Sequence, residues 1–285
     1  MKIFGSRIVQ LSVLITIISI FILMNFEKFR FKKFDISERI KLLFMDTSIK
    51  SNNLIAHAGG GIDNQIYTNS KEALLLSIKK GFNLIELDLI ETKDNKLVAA
   101  NNWKSFQEKS SCCNNGVPTL NEFKQSKILD KYTTLDAEDI NQIFSENKNL
   151  ILVTDKTNNF DLINNSFNFD KSRIIVEVFG QDNYFEAIKN GIKNPLYSAS
   201  IQHRDKEKEF IEKYEIKMIA ISSSDFIKNK NYFTSLKKEK GTIIFVYTSN
   251  DHNFVTDSLG VVDAFYTDFI DITTMKCISN NCKTY

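Results

Sequence analysis

The stretch Asn83-Leu84-Ile85-Glu86-Leu87-Asp88-Leu89-Ile90 decides how this chain is read. In an extended strand alternate residues share a face, so Glu86 and Asp88 point the same way. An apolar run of this kind belongs to a strand buried on both faces, the habit of parallel sheets. Glu86 and Asp88 then sit together inside the fold at the strand's end. Two buried carboxylates repel, and each costs several kcal/mol or a neutralising proton. A divalent cation relieves both problems, because hard oxygen ligands suit such an ion. The alternative is that one or both carboxylates meet water or a lysine at a barrel mouth.

Outward from this strand, apolar β-rich runs alternate with amphipathic helical patterns. Strands are predicted over 54–58, 83–90, 96–101, 149–155, 173–179, 195–200, 217–222, 242–248 and 264–268. Helices are predicted over 70–80, 135–147, 182–190, 205–214, 224–238 and 252–257. This βα rhythm calls for a parallel sheet with helices outside, and the number of strands fits a closed (β/α)₈ TIM barrel of α/β class over residues 51–275. Between Trp103 and Tyr132 the rhythm fails, leaving an insertion with a short helix near 119–125 and a cysteine pair. Thr133-Thr134-Leu135-Asp136 has the look of a capping box. Gly59-Gly60-Gly61 lacks the spacing of a dinucleotide-binding loop.

Composition is that of a globular protein, with 42% hydrophobic and 25% charged residues. A net charge of +2 sets up no field that would recruit nucleic acid, so no nucleic-acid partner is expected. Residues 8–26 form an apolar run just long enough to cross a bilayer, preceded by Lys2 and Arg7 and followed by no small-x-small cleavage site. Residues 1–27 are therefore read as an uncleaved, single-pass transmembrane helix, making the membrane itself a partner. Lys28, Arg30, Lys32 and Lys33 follow it, a bias that would keep the domain in the cytoplasm. Residues 28–50 read as a juxtamembrane helix with Ile36, Ile40, Leu43 and Phe44 on one stripe, packed on the barrel's floor or lying on the membrane. Residues 276–285 form a tail. The 4 cysteines are compatible with an oxidising compartment. Cys277 and Cys282 can close a short loop, whereas neighbours such as Cys112 and Cys113 rarely bond comfortably.

In a parallel barrel, functional groups gather at the C-terminal ends of strands. His57 lies there after the first run, Glu86 and Asp88 at the second, Asn101 and Asn102 after the third, Asp155 at the fourth, Glu177 at the fifth, and Thr248 and Asn250 near the eighth. A histidine converging with several carboxylates marks a functional cleft.

The ordered set Ile55-Ala56-His57-Ala58-Gly59-Gly60, Tyr67-Thr68-Asn69-Ser70, Glu86-Leu87-Asp88, Leu97-Val98, Trp103 and Tyr266-Thr267-Asp268-Phe269 resembles the glycerophosphodiester phosphodiesterase family. Within the phosphatidylinositol phospholipase C-like superfamily, the likeness is to the bacterial branch with His-Ala-Gly-Gly and Tyr-Thr-Asn-Ser motifs. It spans roughly 54–270 and implies a TIM barrel that hydrolyses phosphodiesters with one divalent cation, Mg²⁺ or Ca²⁺. By position, it implies that His57 is the first catalytic histidine and that Glu86, Asp88 and Asp155 are metal ligands. The expected substrate is a glycerophosphodiester or another phospholipid-derived small molecule. Exported relatives place the domain on the periplasmic or extracellular side, against the charge count.

The chain also departs from the family. Asn101, with Asn102 beside it, stands where a second catalytic histidine is expected, and an amide cannot shuttle a proton. That loss is worth about 10²–10⁴ in rate. The family's lysine falls on Thr157, with Lys156 one place early. A one-residue slip turns a side chain to the other face, so Lys156 reaches substrate only where irregular backbone bends it inward. Glu177 or His203 are candidate substitutes for the lost histidine. Asn250, in Tyr247-Thr248-Ser249-Asn250, is a candidate for binding substrate hydroxyls, and Trp103 for walling the pocket. Two outcomes follow: an impaired hydrolase, or a pseudoenzyme that binds phospholipid head groups or phosphorylated glycans.

Overall fold

The computed structural model describes residues 13–25, 34–45, 54–113, 116–200, 204–279 and 282. Its centre is a nine-stranded sheet: β1 (Leu54–Ala56), β2 (Leu84–Glu91), β3 (Leu97–Ala99), β6 (Ile151–Lys156), β7 (Ile174–Phe179), β8 (Pro195–Ser198), β9 (Met218–Ser222), β10 (Ile243–Tyr247) and β11 (Ala264–Thr267). A separate two-stranded ribbon holds β4 (Lys127–Ile128) and β5 (Tyr132–Thr133). All the strands of the large sheet except β3 run parallel, and β1 pairs with both β11 and β2, which closes the barrel.

Strand parity divides the side chains. Leu84, Ile151, Val153, Ile175, Leu196 and Phe245 face one another within the barrel, while their neighbours Ile85, Leu152 and Val176 pack outward against the helices. Continuing the inner parity upward brings Glu86 and Asp88, Asp155, and Glu177 to the C-terminal mouth. The barrel floor is plugged by Ile36 and Ile40, the latter fully buried, with the helix Glu38–Met45 carrying Ile40.

Residues 96–101 do not supply a barrel strand. β3 instead folds back antiparallel on β2, with Leu89 opposite Ala99 and Glu91 opposite Leu97. The third barrel strand is β6. β3 opens the insertion, which forms a small layer of its own: the helices Trp103–Lys109 and Leu120–Gln125, the β4–β5 ribbon, and a core of Val98, Phe106, Phe123, Ile128 and Tyr132. Leu120–Gln125 is held by a full capping box between Thr119 and Glu122. At the next helix, Ala137–Glu146, the cap is Asp136, and the Thr133 hydroxyl donates instead to Glu72. Predicted helix 224–238 divides at Asn229 into Ser223–Lys228 and Lys230–Lys240.

The reading of a single-pass anchor is corrected. Among the described residues no helix is long and apolar enough to cross a membrane. The N-terminal helical stretch is described over 13–25, which rises about 20 Å against a hydrocarbon core of about 30 Å. The single-pass membrane localisation read from that stretch is not supported by the described residues. Residues 1–12 and 26–33 lie outside the described residues, as does His203. Cys277 pairs with Cys282, and, against expectation, Cys112 pairs with Cys113.

Candidate active site

β1 ends in an abrupt turn at His57–Gly59, in which Ala58 takes a left-handed conformation (φ 49°). The turn aims the Ala58 N–H at Glu86, donating to Oε2 at 2.6 Å. It also leaves His57 at the mouth, where Nδ1 lies 2.9 Å from Asp268 Oδ1. Asp268 follows β11 and shares inner parity with Ala264 and Tyr266. Asn69, also left-handed (φ 49°), reads Asp88 twice. Its amide nitrogen donates to Asp88 Oδ2 at 2.7 Å and its amide oxygen accepts from the Asp88 N–H at 3.0 Å.

Glu86, Asp88 and Asp155 each offer an oxygen within 4.8 Å of the others, and all three side chains are buried. Asp155 Oδ1 is buried with no hydrogen-bond partner. An orphaned carboxylate oxygen beside two more carboxylates is the donor set of a hard, oxygen-seeking cation, so the residues present fit Mg²⁺ or Ca²⁺. Burial, followed by the charges of Asp88 and Asp155, pushes Glu86 well above the usual carboxylate range. Burial, then Asp88 and Glu177, does the same for Asp155, with Lys156 opposing.

Lys156 does reach the mouth. Its backbone is left-handed (φ 72°), which swings the side chain inward despite the parity of β6. Nζ sits 2.6 Å from Asp155 Oδ2 and 2.9 Å from Asp88 Oδ1. Burial pulls the ammonium's pKa down, but the two carboxylates outweigh it and hold the group charged. The sequence alternative of a lysine at the carboxylates is thus realised in part, and it neutralises one charge of three.

Glu177 is buried and accepts a 2.8 Å hydrogen bond from the Tyr266 hydroxyl. Burial raises its pKa, while hydrogen bonds from Ser198 and Tyr266 pull the other way. His57, Glu86, Asp88, Asp155, Lys156 and Glu177 line one cavity of about 220 Å³, with Tyr67, Phe179, Tyr247, Thr248 and Tyr266 as its remaining walls.

Three sequence candidates stand apart from that cavity. Asn101 lies behind Asp88, donating to Oδ1 at 3.3 Å and accepting from Asn102 at 2.6 Å. Asn250 braces the loop after β11: its amide oxygen accepts from the Thr267 hydroxyl and from the N–H groups of Asp268 and Phe269, and its nitrogen donates to Asp268 Oδ2 at 3.0 Å. Trp103 packs edge-on against Phe106 and Phe123 in the insertion and donates to the Glu91 carbonyl, so its ring belongs to that small core instead of the cavity wall. Asp268, Asn69 and Tyr67 belong to the site although the motifs that contain them assign them no role. For Asp268 the signal was available, since it lies two residues beyond inward-facing Tyr266.

Fold and site together define a (β/α)₈ barrel with a carboxylate cluster suited to a cation and a carboxylate-steered histidine at its C-terminal mouth. No family model matches the chain, and no curated protein matches it. Solved structures of the same fold do. A glycerophosphodiester phosphodiesterase from Thermotoga maritima aligns with a TM-score of 0.60 at 22% identity, over 78% of this chain and 95% of that one. One from Parabacteroides distasonis gives 0.60 at 18%, over 76% and 92%. An Oleispira antarctica phosphodiesterase in complex with its product sn-glycerol-3-phosphate gives 0.62 at 16%, over 76% and 92%. At these identities the likeness is one of fold. It converges with the resemblance carried by the motifs on glycerophosphodiester phosphodiesterases.

Proposed function

We propose that this protein is a divalent-metal-dependent phosphodiester hydrolase acting on glycerophosphodiester-like substrates. The observation that carries the reading is the convergence of Glu86, Asp88 and Asp155, with an orphaned Asp155 oxygen, in the cavity that also holds His57. Mg²⁺ or Ca²⁺ bound by these three carboxylates would polarise the phosphoryl group and offset charge on its oxygens. The Asp268 carboxylate fixes the His57 ring through Nδ1 and leaves Nε2 to take a proton from the attacking hydroxyl. Lys156, charged and partly exposed at the mouth, is placed to attract the substrate phosphate. Asn69 and the Ala58 N–H hold Asp88 and Glu86 in orientation. Asn250 acts at one remove, by fixing the loop that carries Asp268.

A second reading is a barrel that binds phosphorylated head groups or glycan phosphates without turning them over. It is favoured by Asn101, whose amide stands where the resemblance expects a proton-carrying imidazole. The two readings separate in one experiment on the purified protein with Mg²⁺, Ca²⁺ or Mn²⁺. Metal-dependent hydrolysis of bis(p-nitrophenyl) phosphate or glycerophosphodiesters, abolished by His57→Ala and by Glu86→Gln, supports the hydrolase. A metal-induced rise in melting temperature with no turnover supports the binding protein. The absence of both turnover and a metal-induced shift would rule out both readings.

A further inference from the structure

We propose that the Tyr67 hydroxyl is the proton donor to the leaving alcohol, the task for which Asn101 is chemically unfit. The inference rests on the hydrolase reading above and goes beyond it by assigning the acid.

Most of the other candidate donors at the mouth are committed, among them the Tyr247 hydroxyl, which is engaged with Ser198, while the Thr248 hydroxyl is an alcohol and a far weaker acid than a phenol. Lys156 is paired to Asp88 and Asp155. The Tyr266 hydroxyl donates to Glu177. The Asn101 amide is turned onto Asp88. His57, steered by Asp268, is set to accept. Tyr67 lines the same cavity, and among the described residues no hydrogen bond occupies its hydroxyl. Its ring meets His57 edge-on, with centroids 4.4 Å apart at 78°, so donor and acceptor flank one space.

Tyr67 is also held in place. Its backbone is left-handed (φ 54°), a conformation a bulky residue keeps only when its surroundings enforce it. Lys109 supplies the restraint on one side, with Nζ 3.1 Å from the Ile66 carbonyl oxygen and 3.3 Å from that of Tyr67. On the other side the Asn69 N–H donates to the Ala58 carbonyl, and the Asn69 side chain is locked to Asp88. Burial, with the charges of Asp88, Asp268 and Glu86, raises the phenol to about 12, which still leaves it a stronger acid than an alcohol.

The step balances. The attacking oxygen bonds to phosphorus and loses its proton to His57 Nε2. The P–O bond to the leaving group breaks with its electron pair on that oxygen, and the Tyr67 O–H proton transfers to it. Solvent then returns a proton to Tyr67 and removes one from His57.

Tyr67→Phe keeps the ring against His57 and deletes only the hydroxyl. Its test compares two diesters in the presence of Mg²⁺. Glycerophosphoethanolamine expels an alkoxide, which needs a proton, whereas bis(p-nitrophenyl) phosphate expels p-nitrophenolate, which departs without one. The expected result is a loss of about 10²-fold or more in kcat on the first, a change within about twofold on the second, and little change in KM. Loss of similar size on both substrates would mean that Tyr67 only positions His57, and overturns the proposal. No loss on either also overturns it while leaving the hydrolase reading intact. A wild-type protein inactive on both substrates removes both. The melting temperature in Mg²⁺ should match that of the wild type, and a large fall accompanying the kcat loss on both substrates again counts against the acid role.

Discussion

Remove bound metal with a chelator, and stability should fall as pH rises through the two units just above the ordinary carboxylate range. Burial and mutual repulsion hold Glu86 and Asp155 above the ordinary carboxylate range, and burial does the same for Glu177. Above an unfolded pKa of about 4, the folded chain therefore binds more protons than the unfolded one, so stability is lost as pH climbs towards the raised folded pKa values. Lys156 already neutralises one charge of the cluster, and the Ala58 N–H supports Glu86, so one excess proton is the fair count. One proton corresponds to about 1.4 kcal/mol per pH unit, or about 2.7 kcal/mol over two units. At about 2–4 °C per kcal/mol, the melting temperature falls by about 5–10 °C. Mg²⁺ or Ca²⁺ at a hundred times its dissociation constant restores about 2.7 kcal/mol and flattens the pH dependence, because the ion displaces the proton. Thermal melts at both ends of that range, with chelator and with metal, read this directly, and Glu86→Gln should reduce both effects. Equal or greater stability at the higher pH in chelator, with no response to either ion, would refute the idea that these carboxylates form an unsatisfied cation cradle.

Lys156→Met removes the one cation that, among the described residues, is seated on Asp88 and Asp155, and should lower metal-free stability by about 1–3 kcal/mol, a range reduced for the lysine's partial exposure, while enlarging the rise on adding metal. Ile40→Ala should cost about 2–5 kcal/mol in urea unfolding and leave the metal response unchanged, because that side chain is fully buried in the barrel floor, far from the mouth. Gly61→Ala places a Cβ against the Phe269 ring and 2.6 Å from the Asp268 carbonyl oxygen. By displacing the loop that steers His57, it should cut turnover at least tenfold yet preserve the metal-induced rise in melting temperature.

The barrel was legible because its strands are short apolar runs with turn signals between them, and because period-two parity fixes which residues look inward. The same parity carried Glu86, Asp88, Asp155 and Glu177 to one mouth and could have carried Asp268. It misled at 96–101, since an apolar run does not state its direction. Val98 packs into the insertion's own core, an arrangement set by Phe106 and Phe123 far along the chain. It was insufficient at Lys156, where a single left-handed residue reverses the face, and at Tyr67 and Asn69, whose positive φ values arise from contacts with Lys109 and Asp88 made by distant segments. The elements of the site that strand periodicity could not reach are therefore the ones on strained backbone. These residues place an ammonium, a phenol and an amide around a carboxylate cluster that regular strands alone would leave unbalanced. The pattern explains why the carboxylate cluster and His57 are readable from strand ends and motif letters, whereas the inward turn of Lys156 and the placing of Tyr67 and Asn69 emerge only once the chain is folded.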